Sequence, residues 1–293
     1  MQEFDFIVVG GGSAGCAVAS RLSEDPKTTV CVLEAGGAGD NWVVKAPIGI
    51  AIMVPSKTNN WAFETVPQPG LNGRKGYQPR GKALGGSSAI NAMVYIRGHR
   101  SDYDGWAALG NTGWGYSDVL PYFKKSENNE VVRDAFHGTG GPLNVASIRT
   151  SNPFQEYFLE AGRRLQLPLT SDFNGADQMG LGVYQVTQKN GERWSAARAY
   201  IEPNLSRPNL KIVTGAQARR ILFDGKRAIG IEFDHDGKPE SVRAQGGHRF
   251  QRRVAVAATP DAVRHRQCAG FEKSWHRSRA PCARRRSKFA GPY

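Results

Sequence analysis

Cysteine is scarce in this chain, and long hydrophobic runs are absent from it. The four cysteines, Cys16, Cys31, Cys268 and Cys282, form no CxxC pair, which argues against a disulfide scaffold and against a zinc knuckle. No apolar run approaches the roughly 20 residues that span a bilayer. Residues 1–5 carry no cationic region before an apolar stretch, so no secretory signal is predicted. We therefore expect a soluble cytoplasmic protein without a transmembrane segment.

Large aliphatic residues are missing from one end of the chain, where positive charge is concentrated. The 293 residues are 40% hydrophobic and carry a net charge of +13, and such a hydrophobic content excludes wholesale disorder. Residues 246–293 contain 12 Lys or Arg, 2 Asp or Glu, three Val and no Ile, Leu or Met. That segment cannot bury enough apolar surface to offset its ordering entropy. We expect a disordered basic tail over 246–293, and no nucleic-acid partner for the rest.

The beginning of the chain has the pattern of a nucleotide-binding βαβ unit. An apolar run over residues 4–10 leads into a G-x-G-x-x-G motif and a helical stretch from Ser13 to about Ser23, and residues 29–34 form a second apolar run that ends in an acid. The glycines allow a tight turn, close approach of the backbone to a pyrophosphate and close helix–strand packing, and the acid binds a ribose. The pattern predicts a Rossmann-like α/β domain that binds FAD or NAD(P). Its candidate cofactor-binding residues are Gly10, Gly12, Ser13, Ala14, Gly15, Glu34 and Ala35.

A second glycine cluster lies at residues 80–98. Gly85-Gly86-Ser87-Ser88 offers a close-approach backbone with two hydroxyls, and Arg80 and Lys82 precede it, which is an arrangement that can hold an anion. The alternative is a simple loop-to-helix junction with serine caps. One diphosphate held by two glycine clusters suits a cofactor whose far end is a large planar ring. We expect the two clusters to converge on one extended nucleotide.

The second cluster resembles the first signature of the glucose–methanol–choline (GMC) oxidoreductases. The resemblance rests on Gly81-Lys-x-Leu-Gly-Gly-Ser-Ser-x-Ile-Asn91-x-x-x-Tyr95-x-x-Gly98, with support from the opening Gly-Gly-Gly-Ser-Ala-Gly-Cys run, and favours the choline dehydrogenase-like branch. It implies FAD as the cofactor, and it places the flavin ring against Gly85 and the stretch Asn91, Ala92, Met93 and Val94. Ser87 is a further candidate cofactor-binding residue. It also implies that the backbone of Ala218 meets the adenine.

Other features of the resemblance concern the attachment of FAD and the substrate cavity. Some relatives bond FAD covalently through a histidine just before the asparagine, and this chain has Ile90 there, so FAD is expected to be non-covalent. His99 is expected to be a surface or loop residue. Residues 193–200 resemble the segment beside the family's substrate cavity. Ser195 and Arg198 either line that cavity or cap a short helix, and the sequence leaves both open.

The resemblance predicts four regions along the chain. Residues 1–150 form the first part of the FAD-binding domain, 151–209 part of an α+β substrate domain, 210–245 a β-meander that returns to the FAD domain, and 246–293 the tail. Within them we predict helices over 117–128 and 152–165, a strand over 180–188, a turn at Asn190-Gly191, and short strands over 210–215, 218–224 and 228–234. Phe154, Phe158, Ala161 and Leu165 recur at helical spacing and are expected in the core.

The tail does not continue the family pattern in its own reading frame. Shifting its codons by one base admits the family's second signature over residues 255–266, so we expect a frameshift near Gln245. The alternative is a genuine basic extension that binds nucleic acid or anionic lipid. Resequencing of the gene around the codon for Gln245 separates the two, because an uninterrupted frame would refute the shift.

The resemblance implies oxidation of a primary alcohol to an aldehyde, with an electron acceptor that the sequence does not specify. The family's catalytic histidine lies near the C-terminus of longer chains, and no histidine here matches it, so we predict no catalytic residue and no metal. We expect little or no activity and weak or absent FAD retention for this polypeptide alone. Two alternatives remain: an NAD-dependent Rossmann-fold dehydrogenase, and a non-enzymatic protein that binds anions or nucleic acid through the tail.

Overall fold

The computed structural model describes residues 2–150, 152–235 and 237–244, and the backbone of residues 253–256. The described helices are α1 (Ser13–Leu22), α2 (Trp42–Lys45), α3 (Ile50–Met53), α4 (Arg100–Ala108), α5 (Tyr116–Ser126) and α6 (Pro153–Arg164). The described strands are β1 (Glu3–Phe4), β2 (Phe6–Val9), β3 (Val30–Leu33), β4 (Phe63–Glu64), β5 (Tyr77–Gln78), β6 (Val94–Tyr95), β7 (Glu127–Asn129), β8 (Leu143–Val145), β9 (Gln185–Val186), β10 (Gln188–Lys189), β11 (Glu192–Arg193), β12 (Leu210–Val213), β13 (Ala216–Asp224), β14 (Arg227–His235), β15 (Lys238–Ala244) and β16 (Arg253–Val256). Four 3₁₀ turns cover Pro47–Gly49, Pro69–Leu71, Gly86–Ala89 and Glu202–Asn204, and a π turn covers Ala197–Ile201.

A parallel sheet in the order β12-β3-β2-β16 forms the centre of the fold. β2 and β3 are parallel neighbours, with Phe6 opposite Val30 and Val9 opposite Leu33, and α1 connects them. This is a βαβ unit, so the predicted Rossmann-like α/β class is confirmed. The run over residues 4–10 is divided between two sheets, because β1 pairs with β15 while β2 belongs to the parallel sheet.

Both faces of the parallel sheet are buried, which explains why its strands are apolar at every position. On one face, Val8, Val30 and Val32 pack with α1 and with the turn Ala197–Ile201. On the other face, side chains of β2 and β3, Ile7 among them, pack against the second sheet. The sheet is therefore the middle layer of three, with α1 above it and a β-meander below.

The meander forms a second sheet in the order β1-β15-β14-β13. β13, β14 and β15 are antiparallel neighbours, and β1 adds to β15 in parallel. The sequence predicted strands over 210–215, 218–224 and 228–234. The structure has strands in all three places, and β15 is a further one.

The middle of the chain agrees with the predictions only in part. α6 begins at Pro153 with Asn152 as its N-cap, as predicted, and α5 ends two residues earlier than predicted. The predicted continuous strand over 180–188 is wrong: only β9 and β10 are extended there, and they lie in different sheets. The predicted turn at Asn190-Gly191 is confirmed, since both residues have positive φ, 54° and 80°, between β10 and β11.

The predicted burial of the α6 aromatic residues is wrong. Phe154 is 75% exposed, Phe158 61% and Leu165 71%, and Ala161 is exposed too. α6 is instead packed through Gly162, whose missing side chain leaves room for Leu181. Helical periodicity identifies an apolar face, but it carries no information on whether another element covers that face.

Two phenylalanines test this assignment of burial. Phe158→Ala is expected to change the free energy of unfolding by less than about 0.5 kcal/mol, because little apolar surface is lost from a packed region. Phe233→Ala is the matched control: Phe233 is 4% exposed in the meander, and its truncation is expected to cost about 3–5 kcal/mol. Urea unfolding measures both. Equal costs would mean that α6 is covered in solution.

The predicted disordered tail is corrected at one place. Residues 253–256 form β16, which pairs in parallel with β2, Arg253 opposite Phe6 and Val256 opposite Val9. An extended stretch of β-branched residues and alanine can join the open side of β2 through backbone hydrogen bonds alone. The rest of 246–293, together with Gln245 and the predicted site of the frameshift, lies outside the described residues. Within the described part of the chain, every helix is too short or too polar to cross a membrane.

Candidate functional site

The first glycine cluster forms a tight turn between β2 and α1. Gly10 has φ +93°, which favours glycine, and its N–H donates to the Leu33 carbonyl at 2.8 Å. A Cβ on Gly15 would lie 1.9 Å from the Gly10 carbonyl oxygen, so Gly15 has to be glycine. Gly12 is the N-cap of α1 and has no side chain to satisfy the first N–H groups of the helix. Those groups are available to an anion.

The second glycine cluster lies directly against the first. The Gly85 N–H donates to the Gly11 carbonyl at 2.7 Å. A Cβ on Gly86, which has φ +54°, would lie 2.7 Å from the Gly12 Cα. The backbones of the two clusters are therefore in contact, as the sequence analysis required. A Cβ on Gly86 would not fit in this contact, which brings main-chain groups of both clusters together at the N-terminus of α1.

Glu34 lies at the end of β3 beside the first cluster, and it is 5% exposed. Its carboxylate accepts the Gly11 N–H and the Gly36 N–H, both at 2.8 Å. Burial raises the pKa of Glu34, although the two amides and the charge of Lys82 act in the opposite direction. Each carboxylate oxygen has two lone pairs, so Glu34 holds the turn in place and can still accept a ribose hydroxyl.

The predicted flavin-facing stretch continues from the second cluster. Asn91, Ala92 and Val94 are exposed, whereas Met93 is 5% exposed and has φ +62°. The Met93 N–H donates to Asn91 Oδ1 at 3.0 Å, and the Met93 carbonyl accepts the Thr187 N–H at 2.8 Å. The backbone here is held in an uncommon conformation, with its neighbours facing outward.

The remaining predicted cofactor residues surround this contact. Ser13, Ala14 and Ser87 are exposed, and Ala35 is half-buried after Glu34. Ala218 lies in β13, near the point where the Ala216 N–H donates to the Glu34 carbonyl at 2.8 Å. All of these residues are close to β2, β3 or the second cluster, and their roles toward a cofactor stay predictions.

The segment 193–200 packs under the second cluster, and some of its residues, Trp194 and Tyr200 among them, also line a cavity beside α1. Ser195 is 2% exposed, and its Oγ accepts the Arg198 N–H at 3.4 Å, which favours the helix-cap interpretation. Ser88 Oγ accepts the Ala196 N–H at 2.9 Å, and a Cβ on Gly85 would lie 3.3 Å from the Ala197 Cβ. The segment therefore supports the glycine backbone from below.

Two buried residues, Cys16 and Arg193, support the backbone of the site. Cys16 is fully buried, burial raises its pKa to about 12, and its Sγ donates to the Gly11 carbonyl, so it is a packing residue. Arg193 was not predicted as a site residue. It is fully buried and donates to the Asn91 carbonyl at 2.6 Å. The only available signal was its place in the family-like run 193–200.

An ionic cluster lies away from the glycine clusters, and sequence analysis missed it. Glu127 accepts hydrogen bonds from Arg97 Nη2 at 2.7 Å and from the Gly138 N–H at 3.0 Å. His137 lies between Glu127 and Asp172, with each ring nitrogen 2.9 Å from a carboxylate oxygen. The residues of this ionic cluster come from segments that are distant in sequence, so no local sequence motif predicts the cluster. His99, in contrast, is exposed at the start of α4, as predicted.

The described residues also form a cavity of about 420 Å³ beside the second half of α1. Its lining includes Arg21, Asn144, Trp194 and Tyr200. Arg21 is paired with Glu24, and Trp194 Nε1 donates to the Pro142 carbonyl. The cavity is thus at the other end of α1 from the candidate cofactor site.

Comparisons with known proteins agree with this geometry. A family model described as GMC oxidoreductase matches residues 4–258. An alcohol dehydrogenase [acceptor] of Pseudomonas putida is 47% identical over 261 residues, which are 89% of this chain and 47% of that protein. An oxygen-dependent choline dehydrogenase of Brucella anthropi is 44% identical over 258 residues, which are 88% of this chain and 46% of that protein. The structure of an FAD-dependent oxidoreductase from Chaetomium thermophilum superimposes with a TM-score of 0.76 at 32% identity, covering 83% of this chain and 44% of that one. The chain spans about half the length of the curated relatives that it matches.

Proposed function

The chain belongs to the GMC oxidoreductase family, and on that premise we propose that it supplies the FAD-binding framework of an enzyme that oxidises alcohols to aldehydes. The observation that carries the proposal is the contact between the two glycine clusters. A diphosphate needs backbone N–H groups without side chains in front of them, and the contact of Gly12 with Gly86 provides such a surface at the N-terminus of α1.

Each part of the site has a proposed role toward FAD. The N–H groups of Ser13 and Ala14 bind the diphosphate, and Glu34 accepts a ribose hydroxyl. The backbone of Ala218 contacts the adenine. When bound, FAD supplies the acceptor for a hydride from the alcohol carbon. Within the stretch 91–94, the Asn91 N–H donates to the Ser87 carbonyl and the Met93 N–H to Asn91 Oδ1. The N–H groups that these bonds leave free are proposed to stabilise negative charge near the ring, since fixed amide dipoles favour charge that develops beside them.

FAD is proposed to be bound without a covalent link. Ile90 precedes Asn91 and is 3% exposed in a small apolar cluster with Val44, Met53 and Ala89. An aliphatic side chain offers no nucleophile. The substrate class is proposed to be a primary alcohol of the choline type, because an alcohol dehydrogenase and a choline dehydrogenase are among the relatives.

Titration of the purified chain with FAD tests the proposal. Binding is expected to quench flavin fluorescence, and acid precipitation is expected to release all of the flavin into the supernatant. Flavin that stays with the precipitate would contradict the non-covalent assignment. NAD is the matched control ligand, and its displacing FAD would favour the NAD-dependent alternative. Absence of FAD binding would refute the proposed framework.

The expectations of weak retention and weak activity are tested on the same sample. A chain with weak retention is colourless after dialysis and becomes yellow only when FAD is added. Addition of a primary alcohol to the FAD-loaded chain is expected to leave the visible absorbance of the flavin unchanged. Bleaching would contradict the prediction that the described part lacks its own catalytic base.

A further inference from the structure

Arg193 is a buried cation without a buried anion. Its side chain is fully buried in β11, and in the described part of the chain it forms no ion pair with a carboxylate. Burial alone lowers its pKa to about 10. Buried charges are normally paired, because removing a charge from water costs several kcal/mol. Hydrophobic packing therefore does not explain an arginine at this position.

The guanidinium binds neutral oxygens from two separate segments, α2 and the second glycine cluster. Nε donates to the Val44 carbonyl of α2 at 2.9 Å. Nη1 donates to the Ser88 carbonyl at 3.3 Å, in the second glycine cluster. It also donates to the Asn91 carbonyl at 2.6 Å and to Asn91 Oδ1 at 2.9 Å. A planar guanidinium with donors in fixed directions can hold such a set together, whereas a lysine cannot cover it.

The hydrogen bonds continue from Arg193 into the stretch 91–94. Asn91 Oδ1, which Arg193 binds, also accepts the Met93 N–H at 3.0 Å. Met93 has φ +62°, a conformation that is uncommon and unfavourable for a residue other than glycine. The charge of Arg193 thus fixes the side chain that keeps Met93 in that conformation. Its remaining nitrogen, Nη2, is buried and has no partner among the described residues.

We propose that Arg193 is the positioning residue of the flavin-facing stretch: it holds Asn91–Val94 in the shape that receives the ring and places a fixed positive charge behind that stretch. The inference rests on the proposed function, since it assigns the flavin ring to these four residues. It adds a residue that binds no part of the cofactor in this assignment and acts through Asn91. Its conformational part, however, can be measured without FAD.

Arg193→Met and Arg193→Lys test the proposal in the full 293-residue chain. Methionine has a similar length but removes the guanidinium donors from the oxygens of Val44, Ser88 and Asn91, whereas lysine keeps the charge and part of the hydrogen bonding. Arg163→Met is the matched control, because Arg163 is an exposed residue of α6. Amide hydrogen exchange is measured on peptides that contain residues 88–94 and on peptides of α1, and FAD affinity is measured by fluorescence titration.

We expect Arg193→Met to accelerate exchange in residues 88–94 by about tenfold or more, since hydrogen bonds to a charged group are worth about 1.5–3 kcal/mol. Exchange in α1 is expected to stay as in Arg163→Met. FAD affinity is expected to fall by a similar factor in Arg193→Met, to recover partly in Arg193→Lys, and to give a changed visible circular dichroism of the bound flavin.

Two outcomes would overturn the role of Arg193. One is exchange in residues 88–94 that equals the control, and the other is acceleration of the same size in α1, which would make Arg193 a general stability residue. If Arg193→Met fails to fold, Arg193→Lys decides by the same comparison. Absence of FAD binding by the unaltered chain would refute the proposed function, and the exchange measurement would still decide whether Arg193 positions residues 88–94.

Discussion

Replacement of Gly15 by alanine is expected to lower the free energy of unfolding by about 3 kcal/mol, at the upper end of typical overpacking costs. The added Cβ would lie 1.9 Å from the Gly10 carbonyl oxygen and 3.1 Å from the Gly10 carbonyl carbon. Both atoms belong to the backbone of the turn after β2, so no side-chain rotation relieves the overlap. α1 has to move away from β2, and the core on that face of the sheet opens with it.

Gly12 and Gly105 provide two matched glycine controls. Gly105 lies in α4 with no atom within 4 Å of an added Cβ, and Gly105→Ala is expected to stabilise the chain by up to about 1 kcal/mol through helix propensity. For Gly12→Ala the nearest atom is the Gly86 Cα at 3.9 Å, so its stability is expected to change little. Its FAD affinity is nevertheless expected to fall, because the methyl group occupies the surface where the diphosphate would bind.

Urea unfolding and FAD titration of the three variants separate folding from binding. Gly15→Ala is expected to lose stability, Gly12→Ala to lose only FAD affinity, and Gly105→Ala to lose neither. Equal stability of Gly15→Ala and Gly105→Ala would contradict the described contact between α1 and the turn. Unchanged FAD affinity in Gly12→Ala would instead remove the glycine surface as the binding site for the diphosphate.

The βαβ unit could be predicted from the sequence because every part of it follows from local chemistry. An apolar strand, glycines at fixed spacing, an alanine-rich helix and a terminal acid each restrict the backbone within a few residues. Gly10 and Gly15 are required by conformation and close contact, so their spacing carries structural information directly. The closeness of the two glycine clusters was predicted on different grounds: one extended ligand was taken to need both clusters.

The features that sequence analysis missed depend on partners distant in the chain. Arg193 looks like an ordinary surface residue in a polar run, and only the fold brings Val44 and Asn91 to it. Phe158 has the spacing of a core residue, but in the fold no other described element covers its face of α6. Local periodicity identifies the apolar face of a helix or strand. Whether that face is buried depends on which other segment packs against it.

Replacement of Glu127 by glutamine is expected to cost about 3–5 kcal/mol of stability, the range for breaking a buried ion pair by removing one partner. Glu127 is fully buried, and its carboxylate accepts Arg97 Nη2, the Gly138 N–H and the Asn129 amide. Glutamine is neutral and puts an NH₂ group where two acceptor sites were, so Arg97 loses its countercharge inside the protein.

Glu160→Gln is the matched control for this loss of stability. Glu160 pairs with Arg163 and Arg164 on the exposed side of α6, where solvent screens the charges, and little change in the free energy of unfolding is expected.

The same cluster makes stability depend on pH through His137. Burial opposes a charge on His137, but hydrogen bonds to Asp172 and Glu127 outweigh burial and raise its pKa to about 9. In the unfolded chain the pKa of a histidine is about 6.5. Between these two values the native state holds a proton that the unfolded state has released, so the free energy of unfolding falls as the pH rises. This contribution is complete below about pH 6.5 and is lost as the pH passes through about 9.

The carboxylates of the cluster act in the opposite direction at acid pH. Burial would raise the pKa values of Glu127 and Asp172, but hydrogen bonds, those from His137 first among them, lower both. Their contribution is therefore lost as the pH falls through those lowered values. Stability is expected to be highest in mildly acidic solution, after the carboxylates have ionised and before the unfolded histidine has lost its proton.

Urea unfolding across this range tests the assignment with His137→Asn, compared with the unaltered chain and with His99→Asn as the exposed control. The unaltered chain and His99→Asn are expected to lose stability on the order of 3 kcal/mol between about pH 6.5 and pH 9, while His137→Asn is less stable at acid pH and has a flatter curve. Parallel curves for all three would show that His137 is neutral in the native state. In that case Arg97 would be the cation that balances the buried carboxylate of Glu127, with the Gly138 N–H and the Asn129 amide as its other donors.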